Sequence, residues 1–371
     1  MKGKVGRLIA ILLLLVVIVG GSVAAAVLQK NSLAHIYFEK ITGKAPAAQT
    51  VATPGATDED AVNAKKLAAQ LKKAHFVGNV AVIQDGELVY QRAYGQDPQH
   101  TQKNKRSAYQ IGTLQNALTA AAVMNLVKDG KVKLSTPVSK YYMLDNATAD
   151  MTVGSLLDMT SGLTLDAQPD SSLTKNVINW NLTNATTDTP GTYNFQTVNY
   201  ALLSGIIAQA SGVSYQKYLK QHILDPAAVK HTGFVKSARV QKQLMPAFAA
   251  GGTAVDQATL FQAMNDQLGA KQLYSTAGDM AHILSYISSD RFLDVKYRDQ
   301  GVIAKNKAAY TGRLTHVKKQ LQGRASFAGY HSAVAFNADG ETGVVLLSNH
   351  QKHDRQLRKA AQTILQQVLA E

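Results

Sequence analysis

Apolar and polar residues alternate in several distinct ways along the chain, and each pattern predicts an element. Residues 62–74, "VNAKKLAAQLKKA" in part, place apolar positions at helical spacing with lysines opposite, which predicts an amphipathic helix. Two short apolar runs follow in "FVGNVAVIQDGELVYQRAYG", joined by Asp85-Gly86, a pair suited to a two-residue hairpin turn. From Gln110 the period changes. "LQNALTAAAVMNLVKDG" is apolar almost all round and stops at Gly130, so it predicts a helix buried on every side. Helices and loops should fill the middle of the chain, to about Thr232. "HSAVAFNADGETGVVLLSN" then reads as two strands with a turn, and "DRQLRKAAQTILQQVLA" as an amphipathic helix able to cover a sheet. Strands near both ends with helices between them predict an α+β fold with one sheet assembled from distant segments.

The N-terminus has a different pattern. Lys2, Lys4 and Arg7 precede an uncharged run from Leu8 to Leu28 that is long enough to cross a bilayer as a helix. Either it is an uncleaved signal-anchor, or it is a signal peptide cut near Ser22-Val23-Ala24 or Ala24-Ala25-Ala26. The anchor is preferred because the apolar run continues past the small residues. Either way the basic residues stay cytoplasmic and the body is exported. The expected organisation is a basic tail (1–7), a transmembrane segment (8–28), a small, polar, Pro-containing linker (29–61) and a folded domain (62–371).

The chain of 371 residues has no cysteine and a net charge of +14. The first is compatible with an exported protein without disulfides. The second suggests either an anionic neighbourhood or a charge that only keeps the protein soluble. No compact Lys/Arg block with interleaved aromatics occurs outside the termini, which argues against nucleic acid and for a membrane face or an anionic cell-wall polymer. The histidines, including His350 and His353, lack acidic partners at metal-binding spacing, and no glycine-rich phosphate loop is present. No metal or cofactor is therefore expected.

Several segments carry a family resemblance in order and spacing: the first hairpin, "VMNLVKDGKVKLSTPVSKYY", "MTVGSLLDMTSGL", "NYALLSGIIAQASGVSYQKYLKQHILDPAAVKHTGF" and "LYSTAGDMAHIL". Across most of Phe76 to Leu369 the chain resembles the serine β-lactamase and penicillin-binding-protein superfamily. The closest branch comprises class C β-lactamases, D-alanyl-D-alanine carboxypeptidases and related esterases. The resemblance implies a β-lactamase/transpeptidase-like antiparallel sheet flanked by helices, a mostly helical second lobe and a site between the lobes. Peptidoglycan or an anionic wall polymer is the partner it suggests.

The resemblance also implies three catalytic clusters, and here the sequence departs from it. In the family S-x-x-K, serine attacks a carbonyl and lysine, one turn along, takes its proton. Thr113 and Asn116 hold those positions, and an asparagine amide accepts no proton at neutral pH. In Y-x-N, Phe195 replaces the tyrosine and Thr197 the asparagine. In K-T-G or H-x-G, counting back from Gly329-Tyr330 gives Gly323, Arg324 and Ala325, so that a ligand-binding cation survives only as Arg324, one place displaced. Literal copies elsewhere read as decoys: Ser172-x-x-Lys175 lies in a polar loop, Ser214 before "YQKYL" reads as a helix cap, and His231-Thr232-Gly233 lies in a framework turn.

Three function classes remain open. The first is a family member without acyl-enzyme chemistry that binds or scaffolds at the cell wall. The second is a working acyl hydrolase of esterase, carboxypeptidase or amidase type using Thr113 or a nearby serine, and the third is a basic surface binder whose cleft is irrelevant.

Overall fold

The computed structural model describes residues 62–143, 151–165, 176–235, 241–249, 251–304, 312–350 and 354–370. The expected basic tail, transmembrane segment, linker and Ser172-x-x-Lys175 lie outside these residues. Among those described, no helix is long and apolar enough to cross a membrane.

The first hairpin pairs β1 (Gly78–Gln84) with β2 (Glu87–Tyr94). Asp85 and Gly86 both have positive φ, 51° and 82°, as a turn matched to the right-handed twist of the strands requires. The last two strands of the sheet, β11 (Tyr330–Asn337) and β12 (Gly343–Ser348), are separated from β1 by most of the chain. Even so, β12 pairs antiparallel with β1 from Gly78↔Ser348 to Ile83↔Gly343. β10 (Gln320–Phe327), β9 (Leu314–Val317) and β8 (Ile303–Ala304) complete a seven-stranded sheet of order β2-β1-β12-β11-β10-β9-β8.

The period of two divides the sheet's side chains between two cores. Val80, Val82, Ala333, Ala335, Val344 and Leu346 pack under α1 (Ala64–Lys73) and the C-terminal helix, Asp354–Val368. Ala81, Ile83, Val334, Phe336, Val345 and Leu347 face the opposite way, into the larger core. That core holds α2 (Gln115–Lys128), whose residues from Gln115 to Leu126 are all buried. Around α2 lie α3 (Val153–Leu157), α4 (Val177–Asn184), α5 (Val198–Ser211), α6 (Tyr215–Leu219), α7 (Gln257–Asn265), α8 (Ala277–Ser288) and α9 (Val295–Tyr297). The C-terminal helix is α10. Small sheets carry β3 (Tyr109–Gln110), β7 (Leu273–Ser275) and β6 (Gly233–Phe234), and β4 (Leu163–Thr164) with β5 (Thr186–Thr187).

A buried carboxylate ties the hairpin to the end of β12. Asp97 accepts from the Thr101 N–H at 2.9 Å and the Asn349 amide at 3.0 Å, and meets Lys103 at 3.3 Å. Burial alone would raise its pKa, but these donors outweigh that effect and hold the carboxyl below its ordinary value. A depressed folded pKa contributes stability above the unfolded value, near 4, which disappears as pH falls through the folded one. Asp97→Asn should therefore be less stable than the wild type at pH 7, with the difference shrinking below pH about 4, as read by denaturant unfolding at both pH values.

Candidate active-site cleft

The residues before α2 form a tight turn whose position is set by two glutamine amides. The side chain of Gln110 accepts from the Gly112 N–H at 2.6 Å and donates to the Lys271 carbonyl at 2.7 Å. Gln115, the third residue of T-L-Q-N, accepts from the N–H groups of Gln272 and Leu273 at 2.6 and 2.9 Å, and donates to the Tyr215 hydroxyl. Together they bind the start of α2 to the segment entering β7. Gly112, at φ 59°, lets the turn approach β10 so closely that a Cβ there would lie 2.6 Å from that of Ala325.

Thr113 follows directly and is 4% exposed. Gly312, at φ 78°, presses against it: a Cβ on Gly312 would lie 2.6 Å from the Thr113 carbonyl oxygen, 2.8 Å from the Thr113 Cβ and 2.7 Å from the Asn116 Nδ2. Asn116 is fully buried behind this contact. Gly323, expected from the sequence to belong to the third cluster, is enclosed by apolar side chains. A Cβ at Gly323 would come within 2.9 Å of both Leu114 and Leu314 and 3.0 Å of Val334.

Beyond Gln322, β10 has no strand partner on its outer edge among the described residues. A cleft of about 210 Å³ wraps this edge. Thr113, Ala325 and Ser332 line it on the α2 side, and Phe195 and Lys271 also line it. Arg324, Ser326, Leu357 and Arg358 line the side toward α10. Strand alternation explains the division. Ala325 faces Gly112, whereas Gln322, of the same parity as Arg324, accepts a hydrogen bond from Gln362 of α10 at 2.6 Å. The expected displaced cation is thus present in the cleft, but it leaves β10 from the face opposite Thr113.

Of the residues singled out from the sequence, the structure brings Thr113, Phe195, Arg324 and Ala325 to this cleft. Asn116 and Gly323 are packed in the protein instead. Thr197 begins α5 and lines a separate small crevice with Asn181 and Asp266. The decoys that can be placed are structural: Ser214 caps α6 through the Lys217 N–H, and Thr232 bonds Asp279 at 3.0 Å and Ser275 at 2.7 Å.

Sequence reasoning missed Lys271. Its ammonium lies 5.0 Å from the centre of the Phe327 ring, and burial lowers its pKa. A lysine before a short strand ordinarily reads as a surface residue, and only the quoted "LYSTAGDM" framework beginning two residues later marked the region. Arg358, on the exposed side of the C-terminal helix, carried no signal at all.

A central buried helix whose first turn abuts an antiparallel strand, with helices packed around it, is a β-lactamase/transpeptidase-like arrangement. A family model described as Beta-lactamase matches residues 63–369, and the chain belongs to that family. It is 27% identical over 293 residues to the putative penicillin-binding protein PbpX of Bacillus subtilis, spanning 78% of this chain and 74% of that protein. It is likewise 27% identical over 248 residues to a teichoic acid D-alanine hydrolase of Staphylococcus aureus, spanning 62% of this chain and 59% of the other. Among solved structures, FmtA from Staphylococcus aureus shares the fold with a TM-score of 0.70 at 21% identity, covering 82% of this chain and 86% of FmtA.

Gly312→Ala tests whether the contact over Thr113 is tight. A Cβ in that position meets backbone and requires a left-handed conformation, so the variant should lose about 2–3 kcal/mol in denaturant unfolding. Restoring the family residues with Thr113→Ser and Asn116→Lys should not restore labelling by a fluorescent penicillin, because the added lysine has no room beside Gly312.

Proposed function

We propose that this protein is an exported, membrane-anchored member of the beta-lactamase family that binds a cell-wall polymer in the Thr113 cleft without forming an acyl-enzyme. The observation that carries this reading is the state of the nucleophile position. Thr113 is almost wholly buried, Gly312 lies against it, and the residue one turn along is a buried asparagine rather than a base. The position that begins the third cluster is packed by leucines. Losing nucleophile activation alone removes several orders of magnitude in rate, leaving binding and weak stabilisation of the oxyanion. Polymer binding is supported by the cationic lining of the cleft, the net charge of +14, and a relative that acts on teichoic acid. The anchor reading rests on the basic residues preceding the Leu8 to Leu28 run.

A second reading has one specific observation in its favour. Lys271 lines the same cleft as Thr113 with a lowered pKa, as a lysine serving as general base requires. In that case Thr113 attacks an ester or amide carbonyl and passes its proton to the lysine.

Mass spectrometry of the full chain after incubation with a penicillin and, separately, an activated acyl ester distinguishes the two. The expected outcome is no covalent adduct from folded protein. An adduct on Thr113 that disappears in Thr113→Ala would establish the hydrolase instead.

A further inference from the structure

We infer that the cleft at the free edge of β10 is a phosphate-binding site in which Lys271 and Arg358 hold the anion from opposite sides of the strand. This deepens the proposed polymer binding and rests on it only for the source of the phosphate.

Lys271 carries the argument. Its backbone is held on both sides, by Gln110 at its carbonyl and by Gln115 at the next two N–H groups, so the residue is presented to the cleft by a rigid frame. Among the described residues its ammonium meets only the Phe327 ring, and no carboxylate or hydrogen-bond acceptor reaches it. Burial lowers its pKa with no opposing charge to restore it. A desolvated, unpaired ammonium is costly for a fold, and an incoming anion removes that cost.

The remaining lining fits the same ligand. Arg358 reaches the cleft from α10 and Arg324 also lines it, and among the described residues no carboxylate does. Ser326 adds a hydroxyl to the lining. Lys271 shares the α2 side with Thr113, whereas Arg324 and Arg358 come from the α10 side. Donors converging from both faces of a strand suit a tetrahedral oxyanion better than a planar carboxylate, which one guanidinium satisfies from a single direction. Two sources present this chemistry outside a cell membrane: a polyol-phosphate polymer and an anionic phospholipid headgroup.

The test is calorimetric titration of the full-length chain in non-ionic detergent, at ionic strength near 0.15 M to suppress unspecific attraction. The probes are a short glycerol phosphate oligomer, a poly-γ-glutamate of equal length and, for protein transferred out of detergent, phosphatidylglycerol vesicles. Lys271→Met keeps the stem over Phe327 and removes the charge, so it should unfold no earlier than the wild type. The glycerol phosphate oligomer should bind the wild type, lose about tenfold or more in affinity in Lys271→Met, and regain most of it in Lys271→Arg. Lysine-dependent binding of the vesicles but not of the oligomer supports the phosphate site while overturning the wall polymer as its source. Equal oligomer affinity in wild type and Lys271→Met overturns the site while leaving polymer binding in place. Lysine-dependent binding of poly-γ-glutamate as tight as that of the oligomer also overturns it.

Discussion

The buried side-chain amide of Gln115 joins the parts of this protein that matter for its cleft. It sits in the first turn of α2, where backbone N–H groups have no partner within the helix and the chain must be held from outside. Its oxygen takes the N–H groups of Gln272 and Leu273, and its nitrogen reaches Tyr215 of α6. Leaving such buried donors unmet costs about 1–3 kcal/mol each. Gln115 thus ties the central helix to the strand β7 and to the helical lobe, and with Gln110 it positions Thr113 and Lys271.

On that frame the family architecture persists, and two glycines beside the cleft are closely packed. Leu114 and Leu314 close on Gly323, and Gly312 lies over Thr113 and Asn116. Close packing of this kind keeps a fold intact whatever chemistry its cleft performs. The cations have moved to the rim: Lys271 enters from the β7 side and Arg358 from α10.

Much of the fold was legible in the residue pattern because its signals are local. Asp85-Gly86 specified a turn that needs two positive φ angles, the alternation in β11 and β12 specified two packed faces, and the uniform apolarity of α2 specified burial all round. The candidate site was legible only where framework spacing located it. That spacing placed Thr113, Phe195, Arg324 and Ala325 at the cleft. It did not show that Thr197 turns into a different crevice or that Arg324 leaves the strand on the far face, since one residue of offset on a strand reverses a side chain's direction.

The sequence by itself determined the family framework, the order of strands and helices, and the identities at the three altered clusters, because each depends on neighbours within a few residues or on spacing along the chain. Only the tertiary structure decided what those clusters became. Gly312 meets Thr113 across roughly two hundred residues of chain, and Lys271 and Arg358 approach one strand edge from separate elements. Contacts of that kind arise from how a sheet pairs its first strand with its last, and no local pattern of hydrophobic and polar residues encodes which side chains that pairing brings together.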